Sequence, residues 1–274
     1  MNTSANAQDL PIVDGATKLY GIIGDPIAQV KSPEILTARI RAAGRNALLL
    51  PMHVKPDLFD ETVRGLKALA NLDGIVITVP YKLRIVPFVD RLLPTGERVG
   101  AINAMRRERN REWVGDMFDG KGMLRALQEQ GADPKGLRVM LLGAGGAGSA
   151  IADAVADAGA VSLAIFDMDK AKASELARRI AKFHPGCKAS AGEPTVEGID
   201  ILINATPMGM AGSDPVPMKL GKLDPKFVAA DVIVKPGPTP FLLQAQASGC
   251  RIVGGHAMIG GQVSELMRFF GIES

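Results

Sequence analysis

The chain has 274 residues, of which 47% are hydrophobic and 22% charged, and its formal net charge is +3. This length accommodates one large domain or two ordinary ones, and the composition excludes an extensively disordered chain. Only 4% of the residues are aromatic, and the densest basic stretch, Arg106 to Arg111, is interrupted by Glu108 and Asn110. A nucleic-acid partner is therefore not expected, because neither a base-stacking platform nor a continuous cationic surface is indicated.

The sequence also predicts a cytoplasmic protein without a membrane partner. No apolar run reaches the roughly 18 residues that a membrane span needs. The segment Met1 to Gln8, expected to be loose, lacks the basic and apolar blocks of a signal peptide. Cys187 and Cys250 fit no metal-ligand or redox spacing, so we expect two ordinary thiols and no metal site. A monomer and a homodimer are both compatible with the sequence.

Strand and helix patterns alternate in the first half of the chain, which predicts a mostly parallel sheet. Ser32 is expected to cap the first helix, with Pro33 at its first position and Gly44 at its end. The predicted elements are strands Leu19 to Ile23, Ala47 to Val54 and Gly74 to Val79, helices from Ser32 and over Asp57 to Leu69, paired strands Val99 to Arg106 and Glu112 to Val114, and a helix over Asp119 to Gln130.

The second half repeats the alternation more regularly. Its last predicted helix is placed so that it could return to the first half of the chain. The predicted strands are Val139 to Leu142, Val161 to Phe166, Ile199 to Ile203 and Val228 to Val234, and the predicted helices are Ser149 to Ala158, Ala171 to Phe183 and Met258 to Phe270.

A glycine-rich turn separates the first of these strands from its helix. Residues 143–148 read Gly-Ala-Gly-Gly-Ala-Gly and satisfy the pattern G-x-G-x-x-G. Gly143 would make the tight turn, Gly145 would let backbone amides approach a pyrophosphate, and Gly148 would let the helix pack on the sheet. The helix N-terminus favours the phosphates electrostatically. The turn thus predicts a dinucleotide site, the alternative being a glycine-rich turn that binds nothing.

The choice between NAD and NADP depends on the end of the next predicted strand. Asp167 follows that strand, 19 residues after Gly148, where a carboxylate accepts hydrogen bonds from ribose and repels a 2′-phosphate. Met168 stands where an NADP enzyme would carry an arginine. NAD is therefore favoured, although Lys170 and Lys172 leave NADP open as the less favoured cofactor.

A dehydrogenase also needs a group that takes the hydroxyl proton as hydride departs. His53 lies in a predicted strand, His184 at a helix end and His256 in a glycine-rich turn. Because each of these positions suits a structural or solvated histidine, we expect the proton acceptor to be another residue type.

At this point the sequence resembles the shikimate and quinate dehydrogenase family over nearly its whole length. Seven motifs match in order, which is far more specific than any one of them. They are Gly24-Asp25-Pro26-Ile27 with Lys31-Ser32-Pro33, Thr78-Val79-Pro80-Tyr81-Lys82, Gly100-Ala101-Ile102-Asn103, Gly115-Asp116 with Asp119-Gly120, Gly143 to Ala147, Asn204-Ala205-Thr206-Pro207-Met208-Gly209-Met210, and Gln262.

The resemblance implies a fold, an activity and a set of site residues. It implies an α/β protein with an N-terminal substrate domain, 1–118 completed by 256–274, and a Rossmann-type NAD(P)-binding domain, 119–255. It implies hydride transfer between a nicotinamide cofactor and a hydroxyl or ketone of a cyclic, shikimate- or quinate-like compound. The implied residues are the catalytic dyad Lys82 and Asp119, the substrate-binding Ser32, Thr78, Asn103, Gln262, Val30 and Val234, and the cofactor-binding Gly143, Ala144, Gly145, Gly146, Ala147, Asp167, Thr206, Pro207, Met208, Val232 and Gly255.

The resemblance weakens where the family binds the substrate carboxylate. Val30 replaces the first serine of a Ser-x-Ser pattern and Val234 replaces a tyrosine, while Val76 and Phe118 replace further polar residues. A buried polar group without its partner costs about 1 to 3 kcal/mol, so we hypothesise a substrate that is less polar or differently substituted at that end. The alternatives are an ordinary shikimate 5-dehydrogenase of aromatic amino-acid biosynthesis or quinate dehydrogenase with an unusual pocket, and a non-catalytic nucleotide-binding regulatory protein.

Overall fold

The computed structural model describes residues 13–210 and 214–273. Within these ranges the chain forms an α/β protein with two six-stranded sheets, as the alternation of strand and helix patterns predicts. The predicted loose segment Met1 to Gln8 lies outside the described residues. None of the described helices is long and apolar enough to cross a membrane.

The first sheet is built by the N-terminal strands and is parallel on one side. Its strands are β1 (Lys18–Gly24), β2 (Ala47–His53), β3 (Leu72–Ile77), β4 (Arg91–Leu92), β5 (Ala104–Arg107) and β6 (Trp113–Asp116). Their order across the sheet is β2-β1-β3-β5-β6-β4. β1 pairs in parallel with β2 and β3, whereas β5 is antiparallel to β3 and β6. The loops that follow β1 and β3 therefore leave the same edge of the sheet.

The second sheet is parallel at each of its strand pairs. Its strands are β7 (Arg138–Leu142), β8 (Ser162–Phe166), β9 (Lys188–Ala191), β10 (Ile201–Asn204), β11 (Val228–Asp231) and β12 (Arg251–Val253). The order β12-β11-β10-β7-β8-β9 reverses direction between the adjacent strands β7 and β10. Open parallel sheets bind ligands beside such a reversal, at the carboxyl ends of the strands. The glycine turn after β7 lies at this point.

The helices connect successive strands and cover the sheets. They are α1 (Ser32–Ala42), α2 (Phe59–Ala68), α3 (Pro94–Val99), α4 (Asp119–Glu129), α5 (Gly146–Asp157), α6 (Lys170–Phe183), α7 (Pro240–Ala247) and α8 (Gly255–Phe269). Short 3-10 turns precede α2 and β4.

Several predicted element boundaries differ from the structure, including the end of β11 at Asp231 instead of Val234 and the starts of α1 and of the strand expected at Val99. Ser32 does not cap α1, because Lys31 occupies the N-cap position and Ser32 is the first helical residue, so the helix begins one residue early. Val99 does not begin a strand but ends α3, where Gly100 takes a left-handed conformation with φ of 70°. Such a residue commonly terminates a helix.

The halves of the molecule meet around α4, which packs against both α5 and α8. Glycines allow this contact: a Cβ at Gly120 would lie 2.1 Å from the Ala150 carbonyl oxygen, and one at Gly122 would lie 2.5 Å from that of Met258. The C-terminal helix α8 contributes Val263 to the core cluster beneath the first sheet. This confirms the prediction that the last helix returns to the first half of the chain.

Candidate active site

Lys82 and Asp119 form a shielded ion pair where the two halves meet. Lys82 follows β3, and Asp119 opens α4. Lys82 Nζ donates to Asp119 Oδ2, and the two side chains are only 14% and 4% exposed. The structure thus brings together the two residues of the predicted dyad, although 37 positions separate them.

Two amide side chains complete the environment of this carboxylate. Asn103 Nδ2 and Gln262 Nε2 donate to Asp119 Oδ1 over 2.7 and 2.8 Å. The backbone amide of Phe118 in turn donates to Asn103 Oδ1 over 2.9 Å. Asp119 therefore has one oxygen on the lysine and the other on two neutral donors, an arrangement that fixes its rotamer.

The apolar replacements lie largely together. Val76 and Phe118 belong to the core cluster that also contains Val263, and half-buried Val30 packs against it. Half-buried Val234 follows β11 in the other half and is not part of this cluster. Three of the four departures from the family pattern thus contribute to one apolar cluster.

The other predicted polar substrate contacts, Thr78 and Ser32, are half-buried. Thr78 is held at the end of β3, since its amide donates to the Ile23 carbonyl over 3.0 Å. A Cβ at Gly24 would come within 2.4 Å of Thr78 Cγ2. Gly24 therefore lets Thr78 and the loop after β1 approach closely.

The glycine turn has the geometry that its sequence predicts, and it contacts the dyad. Gly143 has a φ of 101°, and a Cβ at Gly148 would lie 2.0 Å from the Gly143 carbonyl oxygen. A Cβ at Gly146 would lie 3.1 Å from Lys82 Cβ. Helix α5 begins at Gly146 and has no side-chain N-cap, so its first amides face the turn. The candidate dinucleotide site and the ion pair are thus in contact.

Asp167 fastens the end of β8 to this turn. Its Oδ2 accepts from the Ala144 amide over 2.7 Å, and its Oδ1 accepts from the Asp169 amide over 2.9 Å. A carboxylate has about four acceptor positions, so capacity remains for a ribose hydroxyl. The next residue, Met168, is 86% exposed.

A second polar network supports the loop after β10. The amide and hydroxyl of Thr206 both donate to Asn204 Oδ1, over 3.0 and 2.7 Å. Asn204 Nδ2 donates to Asp231 Oδ1 over 3.1 Å, and Thr239 Oγ1 donates to Asp231 Oδ2 over 2.7 Å. Asp231 and Thr239 were not predicted. A carboxylate that ends the apolar strand β11 and a Thr-Pro pair that opens α7 are the sequence signals that could have identified them.

Comparison with known proteins identifies the family. The family model of the shikimate dehydrogenase substrate binding domain matches residues 22–105. The shikimate dehydrogenase (NADP(+)) of Geobacter sulfurreducens is 34% identical over 256 residues, covering 90% of this chain and 89% of that protein. The chain belongs to the shikimate dehydrogenase family. It is therefore an oxidoreductase of the NAD(P)-dependent alcohol dehydrogenase type, which confirms the resemblance drawn from the seven motifs.

Two solved structures extend the family relationship to the whole chain. Shikimate 5-dehydrogenase from Listeria monocytogenes, in complex with shikimate and NAD, has a TM-score of 0.85 and 28% identity, covering 96% of this chain and 94% of that chain. Ligand-free 5-ketofructose reductase of Gluconobacter sp. strain CHM43 has a TM-score of 0.80 and 31% identity, covering 93% and 92%. The substrate domain and Rossmann-type domain of shikimate dehydrogenases are thus both present.

A further family model, that of the ThiF family, matches residues 124–200. This range contains the glycine turn and the strand–turn–helix pattern that unrelated nucleotide-binding proteins share. It supports the nucleotide site and leaves the assignment to the shikimate dehydrogenase family unchanged.

Two of the three histidines of this shikimate dehydrogenase relative pair with aspartates other than Asp119. His53 Nε2 lies 2.6 Å from Asp25 Oδ1, and His184 Nε2 lies 2.8 Å from Asp153 Oδ1. The hydrogen bond from His53 holds the pKa of Asp25 below its usual range. His256 is exposed in the first turn of α8.

We expect Asp231→Asn to gain stability relative to the wild type as the pH rises from about 4 to 8. Burial raises the pKa of Asp231. Its carboxyl therefore contributes stability that is fully present below the unfolded pKa of about 3.9 and is lost as the pH rises through the folded pKa. Asparagine carries no charge at any of these pH values. Thermal denaturation at pH 4, 6 and 8 measures the difference in Tm between the two proteins.

Asp200→Asn is the control with the opposite sign. The hydrogen bond from Arg138 lowers the pKa of Asp200, so wild-type Asp200 adds stability as the pH rises above the folded pKa. The Asp200→Asn variant should fall behind the wild type as the pH rises through the unfolded pKa of about 3.9, and the difference should then stay constant between pH 6 and 8. Parallel trends in the two variants would contradict the assignment of a raised pKa to Asp231.

Proposed function

We propose that the chain is an NAD-preferring dehydrogenase that interconverts a secondary alcohol and its ketone, with Lys82 and Asp119 as the catalytic dyad. The observation that carries this proposal is the contact between the dyad and the glycine turn. Lys82 pairs with Asp119. The stem of the same lysine packs against Gly146, where an added Cβ would lie 3.1 Å from Lys82 Cβ and 3.4 Å from Lys82 Cδ. A proton-transferring group beside a dinucleotide site is what a dehydrogenase requires.

The residues around the turn fit a dinucleotide. Gly145 has no atom within 4 Å of an added Cβ, and the first amides of α5 lack a side-chain cap, so a phosphate has room and donors. We propose that this turn holds the pyrophosphate, with Asp167 on a ribose. The remaining contacts are assigned to Gly143, Ala144, Gly145, Gly146, Ala147, Thr206, Pro207, Met208, Val232 and Gly255. The bound dinucleotide would supply or accept the hydride.

Lys82 would donate or accept the proton whose transfer accompanies the hydride transfer. In ketone reduction, its ammonium donates a proton to the carbonyl oxygen, which becomes the hydroxyl oxygen of the product. In oxidation, the neutral amine takes the proton back. Asp119 holds Nζ by one oxygen, and because Nζ carries three donor directions, another remains for substrate. The proton shuttle thus needs no histidine.

The substrate would lie between the dyad and the loop that follows β1. Asn103 and Gln262 already converge on Asp119, so they lie where substrate hydroxyls would approach the lysine. We assign Thr78 and Ser32 to the same pocket, with Val30 and Val234 at its apolar end. Hydroxyl groups at one end and apolar contact at the other are the features that this pocket selects.

A neutral polyhydroxy ketone is the second candidate substrate, beside a shikimate- or quinate-like ring. The apolar cluster around Val30, Val76 and Phe118 supports it, since a carboxylate placed against it would lose hydration without gaining a partner. The similarity to a 5-ketofructose reductase, at 31% identity, is consistent with that substrate class. The relatives named for shikimate support the ring compound.

The residues that follow β8 support NAD as the preferred cofactor. Lys170 Nζ lies 3.0 Å from a carboxylate oxygen of Glu193, and Lys172 Nζ lies 3.8 Å from one of Asp169. Both lysines, which left NADP open, thus have acidic neighbours, and Asp167 adds negative charge where a 2′-phosphate would lie. The shikimate dehydrogenase of Geobacter sulfurreducens is named for NADP(+), and kinetics with both cofactors distinguishes the two.

A domain organisation follows from these proposed residue roles. We propose that residues 1–118 with 256–274 form the substrate domain and that residues 119–255 form the dinucleotide-binding domain. The expected setting is the cytoplasm, with a monomer or homodimer acting on small molecules.

Steady-state kinetics with shikimate, quinate, a neutral cyclic polyol and 5-ketofructose, each with NAD(H) and NADP(H), tests the proposed function. We expect turnover with NAD(H), and a shikimate kcat/KM below the range of about 10⁴ to 10⁸ M⁻¹s⁻¹ that efficient enzymes reach. A shikimate value within that range would overturn the neutral-substrate candidate. Absence of turnover together with tight dinucleotide binding would overturn the dehydrogenase and favour a regulatory protein.

Val30→Ser sharpens the same test, with Val30→Ala as the matched control that adds no hydroxyl. If the apolar cluster disfavours a carboxylate, serine should raise the shikimate kcat/KM by roughly 10-fold, which corresponds to one hydrogen bond to a charged group. Alanine should leave it nearly unchanged.

A further inference from the structure

An arginine of the dinucleotide-binding half binds the end of α3. This arginine is far from both Lys82 and Asp119 in the sequence. Arg179, on α6, donates through Nη1 to the carbonyl oxygen of Val99, the last residue of α3. The guanidinium lies against Gly100, where an added Cβ would come within 2.7 Å of Nη1. Gly100 thus supplies both the left-handed turn and the space for this arginine.

A second arginine, this one on α3 itself, attaches the same helix to the dinucleotide-binding half. Arg98 of α3 donates to both carboxylate oxygens of Asp153 on α5, from Nε to Oδ1 over 2.9 Å and from Nη2 to Oδ2 over 2.8 Å. Asp153 is buried and also meets His184 Nε2 at 2.8 Å. The carboxyl end of α3 is therefore attached to both α5 and α6 of the other half.

The segment that begins at this attachment leads directly to the dyad. Three residues after Val99, the amide of Ile102 donates to the carbonyl oxygen of Lys82 over 2.9 Å. The following residue, Asn103, donates to Asp119 Oδ1 over 2.7 Å. Residues 99–103 thus connect the arginine contact to the backbone of one dyad residue and to the carboxylate of the other.

We propose that Arg179 is a positioning residue for the reaction: by holding Val99 across the domain boundary, it sets the placement of Lys82 and Asp119 relative to the glycine turn. Hydride and proton transfer require near-contact distances, and a displacement of about 1 Å can cost 100-fold in rate. The arginine acts from the half that binds the dinucleotide on the half that carries the lysine. Its loss should affect turnover more than binding.

The test compares Arg179→Gln with Arg178→Gln. Arg178 lies on the same helix, is 75% exposed and pairs with Glu175, so both variants remove one positive charge from α6. With shikimate and NAD as the probe, we expect Arg179→Gln to lower kcat by about 10- to 100-fold, with KM for NAD within threefold. Arg178→Gln should stay within about twofold of the wild type, as expected for an exposed pair.

A second measurement, hydrogen exchange of the Ile102 amide by NMR, needs no turnover. We expect this amide to exchange at least about tenfold faster in Arg179→Gln only, because local opening is controlled by such contacts. Arg179→Lys, which keeps a cationic donor, should give intermediate exchange and kcat. If the glutamine variant does not fold, the lysine variant is compared with the wild type, and unchanged exchange and kcat overturn the proposal.

The kinetic measurement rests on the proposed function, whereas the exchange measurement does not. A wild-type protein that binds NAD without turnover would count against the dehydrogenase, and Ile102 exchange would still decide the positioning contact. Equal Ile102 exchange in the Arg179→Gln and Arg178→Gln variants would overturn the role of Arg179, as would a loss of kcat that only follows the folded fraction.

Discussion

Lys82→Ala is expected to lower kcat by about 10²- to 10⁴-fold, the contribution typical of a positioned proton-transfer group. Alanine removes the donor that pairs with Asp119, while the glycine turn that would hold the dinucleotide keeps its own backbone geometry. Affinity for the dinucleotide should therefore change by less than about threefold, because binding and proton transfer use different groups. Steady-state kinetics and fluorescence titration with the reduced dinucleotide measure the two quantities.

Two further variants make this result specific. Lys135→Ala removes an exposed lysine and should leave kcat unchanged. Asp119→Asn loses the charge and, with its oxygen toward the lysine, turns an NH2 toward the Asn103 and Gln262 donors, so it should also lower kcat. If Lys82→Ala retains a third or more of the wild-type kcat, Lys82 does not exchange the substrate proton and the dyad is assigned wrongly.

The second half of the fold could be predicted because each of its central strands is a continuous apolar run. Residues 139–142 and 201–203 are fully buried on both faces, as in a parallel sheet covered by helices. The edge strands β9 and β12 were missed, since Lys188–Ala191 is mostly exposed and Arg251–Val253 has three residues. Neither edge strand carries the apolar signal of a central one.

The first half was harder to predict at its far edge. Helix α3 has six residues, and its sequence Pro-Thr-Gly-Glu-Arg-Val contains one apolar side chain that is buried. A period of 3.6 residues cannot be recognised over so short a segment. Val99 therefore looked like the start of the strand that actually begins at Ala104.

The candidate site depended on information that local patterns do not contain. Lys82, Asn103, Asp119 and Gln262 come from four separate segments, and no spacing rule connects them. Their convergence became predictable only through the ordered family motifs. The contact between Arg179 and Val99 belongs to no motif, because it joins a helix of one half to a helix end of the other.

Cofactor preference is the property on which the residues and the named relatives disagree most sharply. We expect the wild type to use NAD with a kcat/KM at least about tenfold above that for NADP, because Asp167 would repel a 2′-phosphate. Replacing Met168 by arginine together with Asp167 by serine should raise the NADP value by roughly 10- to 100-fold, since a charge-assisted hydrogen bond contributes about 1.5 to 3 kcal/mol. Kinetics with both dinucleotides at one substrate concentration measures the ratio.

The single variant Met168→Arg separates two effects on the 2′-phosphate of NADP. One is attraction by the added arginine, and the other is the loss of repulsion by Asp167. It preserves the hydrogen bond from the Ala144 amide to Asp167, so the glycine turn keeps its support while a cation is added at a position that is 86% exposed. This single variant should improve use of NADP less than the double variant does, because the carboxylate still opposes the phosphate. Leu243→Arg adds the same charge at an exposed position of α7 and should change neither cofactor. A wild-type preference for NADP would instead mean that Asp167 serves only to fasten the turn to β8, and that Lys170, Lys172 or groups elsewhere hold the phosphate.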